Sequence, residues 1–220
     1  MIGGNSPDGA GTVEEPNVKK WSASDISNSP HMEPEGVELL AARLSGAKVF
    51  LEYGAGGSTV FAASHGVESI YSVESDRGFL SAVSDKLSTL TSFNPSFTPV
   101  FVDLGPTGDW GVPTDKSTAE RWPYYCSKVW DGFLANDVYP DVVLVDGRFR
   151  VACFLASLIF AKEGCIILFD DYTNRPHYHI VEKFIKPKSI SGRMAEFVVT
   201  KRLPTKKIVL ELIKHSTSMS

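Results

Sequence analysis

The spacing of apolar positions changes repeatedly along the chain, and each change marks an element. From Pro34, the residues Val37, Leu40, Ala41 and Leu44 fall on one helical face, and Gly46 ends the run. A short apolar stretch over 48–52 predicts a strand. Helical spacing returns over 58–65, with Gly66 placed to close it. Residues 69–74 read as a second strand. Asp76 is positioned to cap a helix whose Phe79, Leu80, Val83, Leu87 and Leu90 keep helical spacing. A third strand is predicted over 98–104. A fourth, over 141–145, is an unbroken run of valine and leucine after Asp141, as in strands covered on both faces. The helix expected over 151–162 is apolar nearly all round and belongs in the centre of the molecule. Further on come a strand over 165–169, a short helix over 180–185, and two last strands over 195–200 and 207–213, read as an antiparallel hairpin.

Strands alternating with helices predict an α/β fold with right-handed crossovers. The expected architecture is a three-layer, Rossmann-like sandwich around a mostly parallel seven-stranded sheet, with an antiparallel C-terminal hairpin. Residues 1–24, rich in Gly, Ser, Pro, Asn and Glu, read as a flexible tail, and 25–220 as one domain. The stretch 105–133 is unusual for a connection between strands: it carries Trp110, Trp122, Tyr124, Tyr125, Trp130 and Phe133 among glycines and prolines. Two readings stay open for this aromatic insertion, a lid over a binding site or a packed flank of the sheet.

Charge and composition narrow the function. A net charge of −4 argues against a general nucleic-acid binder, and the lysine- and arginine-rich stretch 183–207 reads as a solvated face. Cys126, Cys153 and Cys165 show no metal or redox spacing, and the latter two lie in apolar runs, which fits a reducing cytoplasm. No segment is long and apolar enough for a membrane span, and the N-terminus lacks a secretory pattern. The partner expected is therefore a small molecule, with neither nucleic acid nor membrane; nothing in the sequence sets the oligomeric state.

The chemistry gathers at the strand ends. Glu52, Glu74, Asp103, Asp146 and Asp170 each close an apolar strand, and in a sheet of this kind ligands bind beyond those carboxyl ends. Glu52 is followed by Tyr53-Gly54-Ala55-Gly56-Gly57-Ser58, a glycine turn leading into a helix, through which backbone N–H groups approach a ligand unobstructed. The dinucleotide fingerprint requires a third glycine where Thr59 stands, and no lysine follows as a phosphate loop requires. Glu74 is placed to accept hydrogen bonds from ribose hydroxyls.

Together these residues resemble class I S-adenosylmethionine-dependent methyltransferases over about residues 34–214. The segment from Glu52 to Ser58 looks like their first motif, Glu74 like their ribose-binding acid and Asp103 like their adenine-proximal acid. The resemblance implies that the glycine turn passes beneath the cofactor's amino-acid portion and that Glu52 helps anchor its ammonium. The cofactor-binding candidates are Glu52, Tyr53, Gly54, Ala55, Gly56, Gly57, Ser58, Glu74, Ser75 and Asp103. Val145-Asp146-Gly147 and Phe169-Asp170-Asp171-Tyr172 are similar to segments of the metal-dependent O-methyltransferases of the catechol and macrocin types. That likeness implies a magnesium ion on Asp146, Asp170 and Asp171, lowering the pKa of an acceptor hydroxyl. Where the macrocin-type pattern has a second acid, this chain has Arg148. That arginine either pairs with Asp146 or Asp171 and cancels the metal site, or clamps an anionic acceptor. His177 is a candidate substitute base. The Trp-Pro-x-Tyr and Asp-Gly-Arg-Phe-Arg stretches also resemble small bacterial methyltransferase-like proteins. The expected activity is methyl transfer to a hydroxyl of a small polar or anionic acceptor. A non-catalytic S-adenosylmethionine-binding or interaction module and an NAD-dependent oxidoreductase are the alternatives.

Overall fold

The computed structural model describes residues 20–90 and 95–218. Seven strands form one sheet: β1 (Val49–Tyr53), β2 (Ser69–Glu74), β3 (Ser96–Phe101), β4 (Val142–Val145), β5 (Ile166–Phe169), β6 (Ser189–Ser191) and β7 (Met194–Val198). Their order is β3-β2-β1-β4-β5-β7-β6. The first five are parallel, and β7 and β6 extend the sheet antiparallel. This is the mostly parallel Rossmann-like sheet that the sequence predicts.

Strand alternation assigns each helix layer its share of the core. Phe50, Ile70, Val142, Leu144 and Leu168 face one side, where α1 (Pro34–Leu44), α2 (Gly57–Ser64) and α3 (Arg77–Ser88) cover them. Leu51, Tyr53, Val143, Val145, Ile167 and Phe169 face the other, beneath α4 (Pro123–Asn136), α5 (Arg150–Phe160) and α6 (Thr205–His215). All four residues of β4 are buried, which accounts for its unbroken apolar sequence. The strand order turns around between β1 and β4, so a crevice opens beyond their carboxyl ends, where ligands of such sheets bind.

Three elements differ from the sequence expectation. Residues 207–213 belong to the helix α6, because Ile208 is fully buried and Leu212, one turn later, packs on the same core. The terminal hairpin is β6–β7, closed through Gly192 and Arg193, and 180–185 lies largely within a 3₁₀ turn, Pro176–Lys183. The last part of the aromatic insertion, from Pro123, belongs to the helix α4, with Tyr125, Cys126, Val129, Trp130 and Phe133 buried along one face. Trp122 and Tyr125 are therefore core residues, while Trp110 and Tyr124 are exposed.

The expected flexible tail falls mostly on residues 1–19, outside the described residues. Residues 20–24 pack against the domain. Trp21 donates to Asp76 at 2.7 Å and meets Phe79 edge-on, and Ile26 is buried just beyond. The chain then crosses α2 so closely that a β-carbon on Gly57 would sit 2.0 Å from the Ser29 carbonyl oxygen.

Candidate active site

The turn after β1 is shaped by backbone that side chains cannot follow. Gly54 has φ +95° and Gly56 φ +150°, both in the region that glycine alone adopts readily. The Gly54 N–H donates to Val73 O at 2.9 Å and the Gly56 N–H to Thr59 Oγ1 at 3.0 Å. Gly57 is needed for another reason, since its missing β-carbon makes room for the Ser29 segment.

Glu52 supports this turn from below. It is fully buried, accepting hydrogen bonds from Ser58 Oγ at 2.5 Å, Ser72 Oγ at 2.5 Å and Thr59 Oγ1. Burial pushes its pKa up to about 7 against the opposing pull of those hydroxyls. Both oxygens hold the turn, away from solvent, so the part of Glu52 that the structure shows is support of the glycine turn. Ser58 is likewise a brace of the turn. Tyr53 points into the other layer, where its hydroxyl donates to Cys126 O at 3.0 Å and accepts from Trp130 Nε1 at 2.9 Å, so only its backbone adjoins the crevice.

Glu74, at the end of β2, faces the same turn. Its Oε1 accepts from Ser75 N at 2.5 Å, Ser75 Oγ at 3.1 Å and Asp76 N at 3.1 Å, whereas among the described residues Oε2 accepts only a long bond of 3.3 Å from Ala55 N. Oε2 thus keeps capacity for one further donor. Burial raises the pKa of this carboxyl, and the backbone N–H groups pull it back. Asp103, exposed beyond β3, accepts from Gly105 N at 2.9 Å and pairs with Arg121 at 2.6 Å. The loop that starts there returns over Ser75: a β-carbon on Gly111 would lie 2.9 Å from Ser75 Oγ. At the tip of that loop, Trp110 sits 5.8 Å from the His31 ring.

The turn after β4 meets the glycine turn at bare backbone. A β-carbon on Gly147 would lie 2.8 Å from Gly54 N, 2.7 Å from Tyr53 C and 2.3 Å from Tyr125 Oη. Next to this contact, Arg150 ties the ends of β4 and β5 together. Its nearly buried guanidinium pairs with Asp146 at 2.9 Å and Asp171 at 3.1 Å, and donates to the carbonyls of Gly147 and Asp170. Asp171, at φ +56°, also pairs with Arg175 at 3.0 Å and Arg193 at 3.5 Å. Burial drives the Asp146 pKa up to about 7; Arg150 opposes the shift, and the neighbouring Asp170 and Asp171 reinforce it. Burial, then the charge of Asp171, raises Asp170 as well. A small recess, about 50 Å³, opens beside this cluster, lined by Pro113, residues 147–150, Arg175 and Tyr178.

The structure thus joins Asp146, Asp170 and Asp171 in one cluster, places Arg148 on the wall of the adjoining recess, and leaves His177 out. That histidine lies exposed with its ring edge-on to Tyr178, lines no part of the recess, and has its pKa lowered by partial burial and then by Arg175. Arg175 and Arg193 are members of this cluster that the sequence does not single out. Arg175 was within its reach: it lies four residues after Asp171, as Arg150 does after Asp146, an ion-pairing interval. The carboxylates do not suit a magnesium ion, because guanidinium groups occupy the places a hard cation would take. Among the described residues no group of three or more His, Cys, Asp or Glu is placed to hold a metal.

A doubly wound sheet with a glycine turn after β1, an acid closing β2 and a second acid-bearing turn after β4 defines the class I S-adenosylmethionine-type methyltransferase fold. The chain belongs to that family: it is 38% identical to a methyltransferase-like protein (SPO2022) of Silicibacter pomeroyi DSS-3, over 87% of this chain and 98% of that one, with a TM-score of 0.78. The yhhF methyltransferase of Escherichia coli, described as putative, is 16% identical over 79% of this chain and 88% of its own, with a TM-score of 0.47. No family model and no curated protein matches the chain. No helix among the described residues is long and apolar enough to cross a membrane.

Proposed function

We propose that the protein transfers a methyl group from S-adenosylmethionine to a hydroxyl of a small polar or anionic acceptor. The observation that carries this reading is the backbone contact between Gly54 and Gly147. It sets the glycine turn and the acid-bearing turn after β4 side by side at the point where the strand order reverses. The cradle fits the cofactor: Gly54 and Gly56 hold a backbone shape with no side chain over it, and Glu74 Oε2 keeps a free acceptor position for a ribose hydroxyl. When bound, S-adenosylmethionine supplies an electrophilic methyl on a sulfonium.

The chain's own part is positioning and proton handling. Asp146 accepts the hydroxyl proton; a pKa near 7 suits a general base working at neutral pH. Arg150 holds the Asp146 carboxylate in place by its 2.9 Å ion pair. Acceptor and donor are brought together by the fixed apposition of the two turns, which is the main contribution expected for an in-line displacement. Kinship with methyltransferases sets the oxidoreductase alternative aside.

The test is calorimetric titration of S-adenosylmethionine into the protein, with and without magnesium. Saturable binding in the micromolar range, unchanged by magnesium or by EDTA, is expected. Absence of binding in both conditions refutes the methyltransferase reading, and transfer to a hydroxylated acceptor separates an enzyme from a binding module.

A further inference from the structure

One guanidinium at the recess, that of Arg148, has no partner among the described residues, whereas the arginines around it are paired. Arg150 is satisfied by Asp146, Asp171 and two carbonyls. Arg175 is half satisfied by Asp171 and reaches Tyr178 Oη at 3.3 Å. Arg193 is shared between Glu33 and the same Asp171. One carboxylate thus serves three guanidinium groups. Arg148 is different: its backbone N–H donates to Tyr125 Oη at 3.3 Å, but its guanidinium makes no hydrogen bond or ion pair with any described residue. It is half-buried at the wall of the recess.

We infer that this recess seats an anionic group of the acceptor, gripped by Arg148 with Arg175 beside it, and that the acceptor class is a short hydroxylated carboxylate or phosphate ester. The assignment of that molecule as methyl acceptor rests on the proposed function; the anion site rests on the recess itself.

Size and position give the class its limits. About 50 Å³ admits a group of a few heavy atoms, which suits a carboxylate or a phosphoryl head. A guanidinium fork binds either head through paired N–H donors. Gly147 lines the recess on one side and touches Gly54 on the other, so a single residue's thickness separates the head group from the glycine turn. The accepting hydroxyl therefore lies within a few bonds of the anionic group, beside Asp146. A long substrate with its anion remote from the hydroxyl does not meet this geometry.

The experiment titrates inorganic phosphate, and separately acetate, into the full-length protein while following the amide resonances of residues 147–150. Saturable millimolar shifts are expected for at least one anion, and the tighter of the two assigns the head group as phosphoryl or carboxylate. Arg148→Gln should weaken that binding about tenfold or more, Arg148→Lys less, and Arg121→Gln, whose guanidinium pairs with Asp103 instead, should leave it unchanged. Arg148 has no ion pair to lose, so its variants should keep the wild-type unfolding midpoint. Absence of saturable shifts with both anions, or equal affinity in Arg148→Gln, overturns the inference. S-adenosylmethionine binding is measured on the same samples: its loss sinks the methyltransferase reading while the anion result stands or falls alone.

Discussion

Glu52 offers a direct test of how the glycine turn is held, because its carboxyl is sealed from water and its pKa is raised from 4.5 to about 7. Replacing it with glutamine removes the titration and keeps the shape. The sign follows from linkage: in the unfolded chain Glu52 releases its proton near pH 4.5, whereas in the folded protein it holds it to about pH 7. Its contribution to stability is therefore fully present below pH 4.5 and is lost as the pH rises through 7. At 1.36 kcal/mol for each tenfold change in proton affinity, the loss amounts to about 3 kcal/mol. Urea unfolding of wild type and Glu52→Gln, followed by tryptophan fluorescence at about pH 4.5 and pH 8, isolates this part, since the other raised carboxyls are common to both proteins. The stability of the variant relative to wild type should rise by about 3 kcal/mol between the two conditions. A gap that stays constant refutes the reasoning. A gap moving the other way means that the hydroxyls of Ser58, Thr59 and Ser72 stabilise the ionised form by more than burial penalises it.

Arg150→Met should cost about 3 kcal/mol near pH 8, because it leaves Asp146 and Asp171 without their nearly buried partner. The cost should shrink at about pH 5, where Asp146 is protonated, and urea unfolding at both pH values measures it. Gly57→Ala drives a methyl group into the Ser29 carbonyl, so it should release the chain before Pro34 or destabilise the domain by about 2 kcal/mol. Limited proteolysis and thermal unfolding distinguish these results, and a variant unchanged in both contradicts the close approach.

Much of the fold is written in local patterns. The second strand and the capped helix after Asp76 are legible because an alternating run and a 3.6-residue run each stand next to an unambiguous punctuating residue. α4 is harder to see, since Pro123 and Gly132 look like breakers; the proline in fact occupies the first helical turn, where its missing N–H costs nothing. Residues 207–213 mislead in the opposite direction. Their consecutive apolar side chains suit a strand, and only packing on α5 reveals that Ile208 and Leu212 are the buried pair while Leu210 and Ile213 stay exposed. In the site, the acids at the strand ends are legible because each closes an apolar run. The approach of Ser29 to Gly57, the convergence of Arg193 on Asp171 and the contact of Gly147 with Gly54 join segments far apart in sequence, and no local pattern encodes them.

The contact of Gly54 with Gly147 has a consequence for how such a protein changes over generations. The spacing between the two turns is set by main chain against main chain, with no rotamer in between. Side chains around the recess can therefore be exchanged, and a different molecule selected, without disturbing the alignment of the two halves. Conversely, neither glycine tolerates drift, so the pair separates what is free to diversify from what is not.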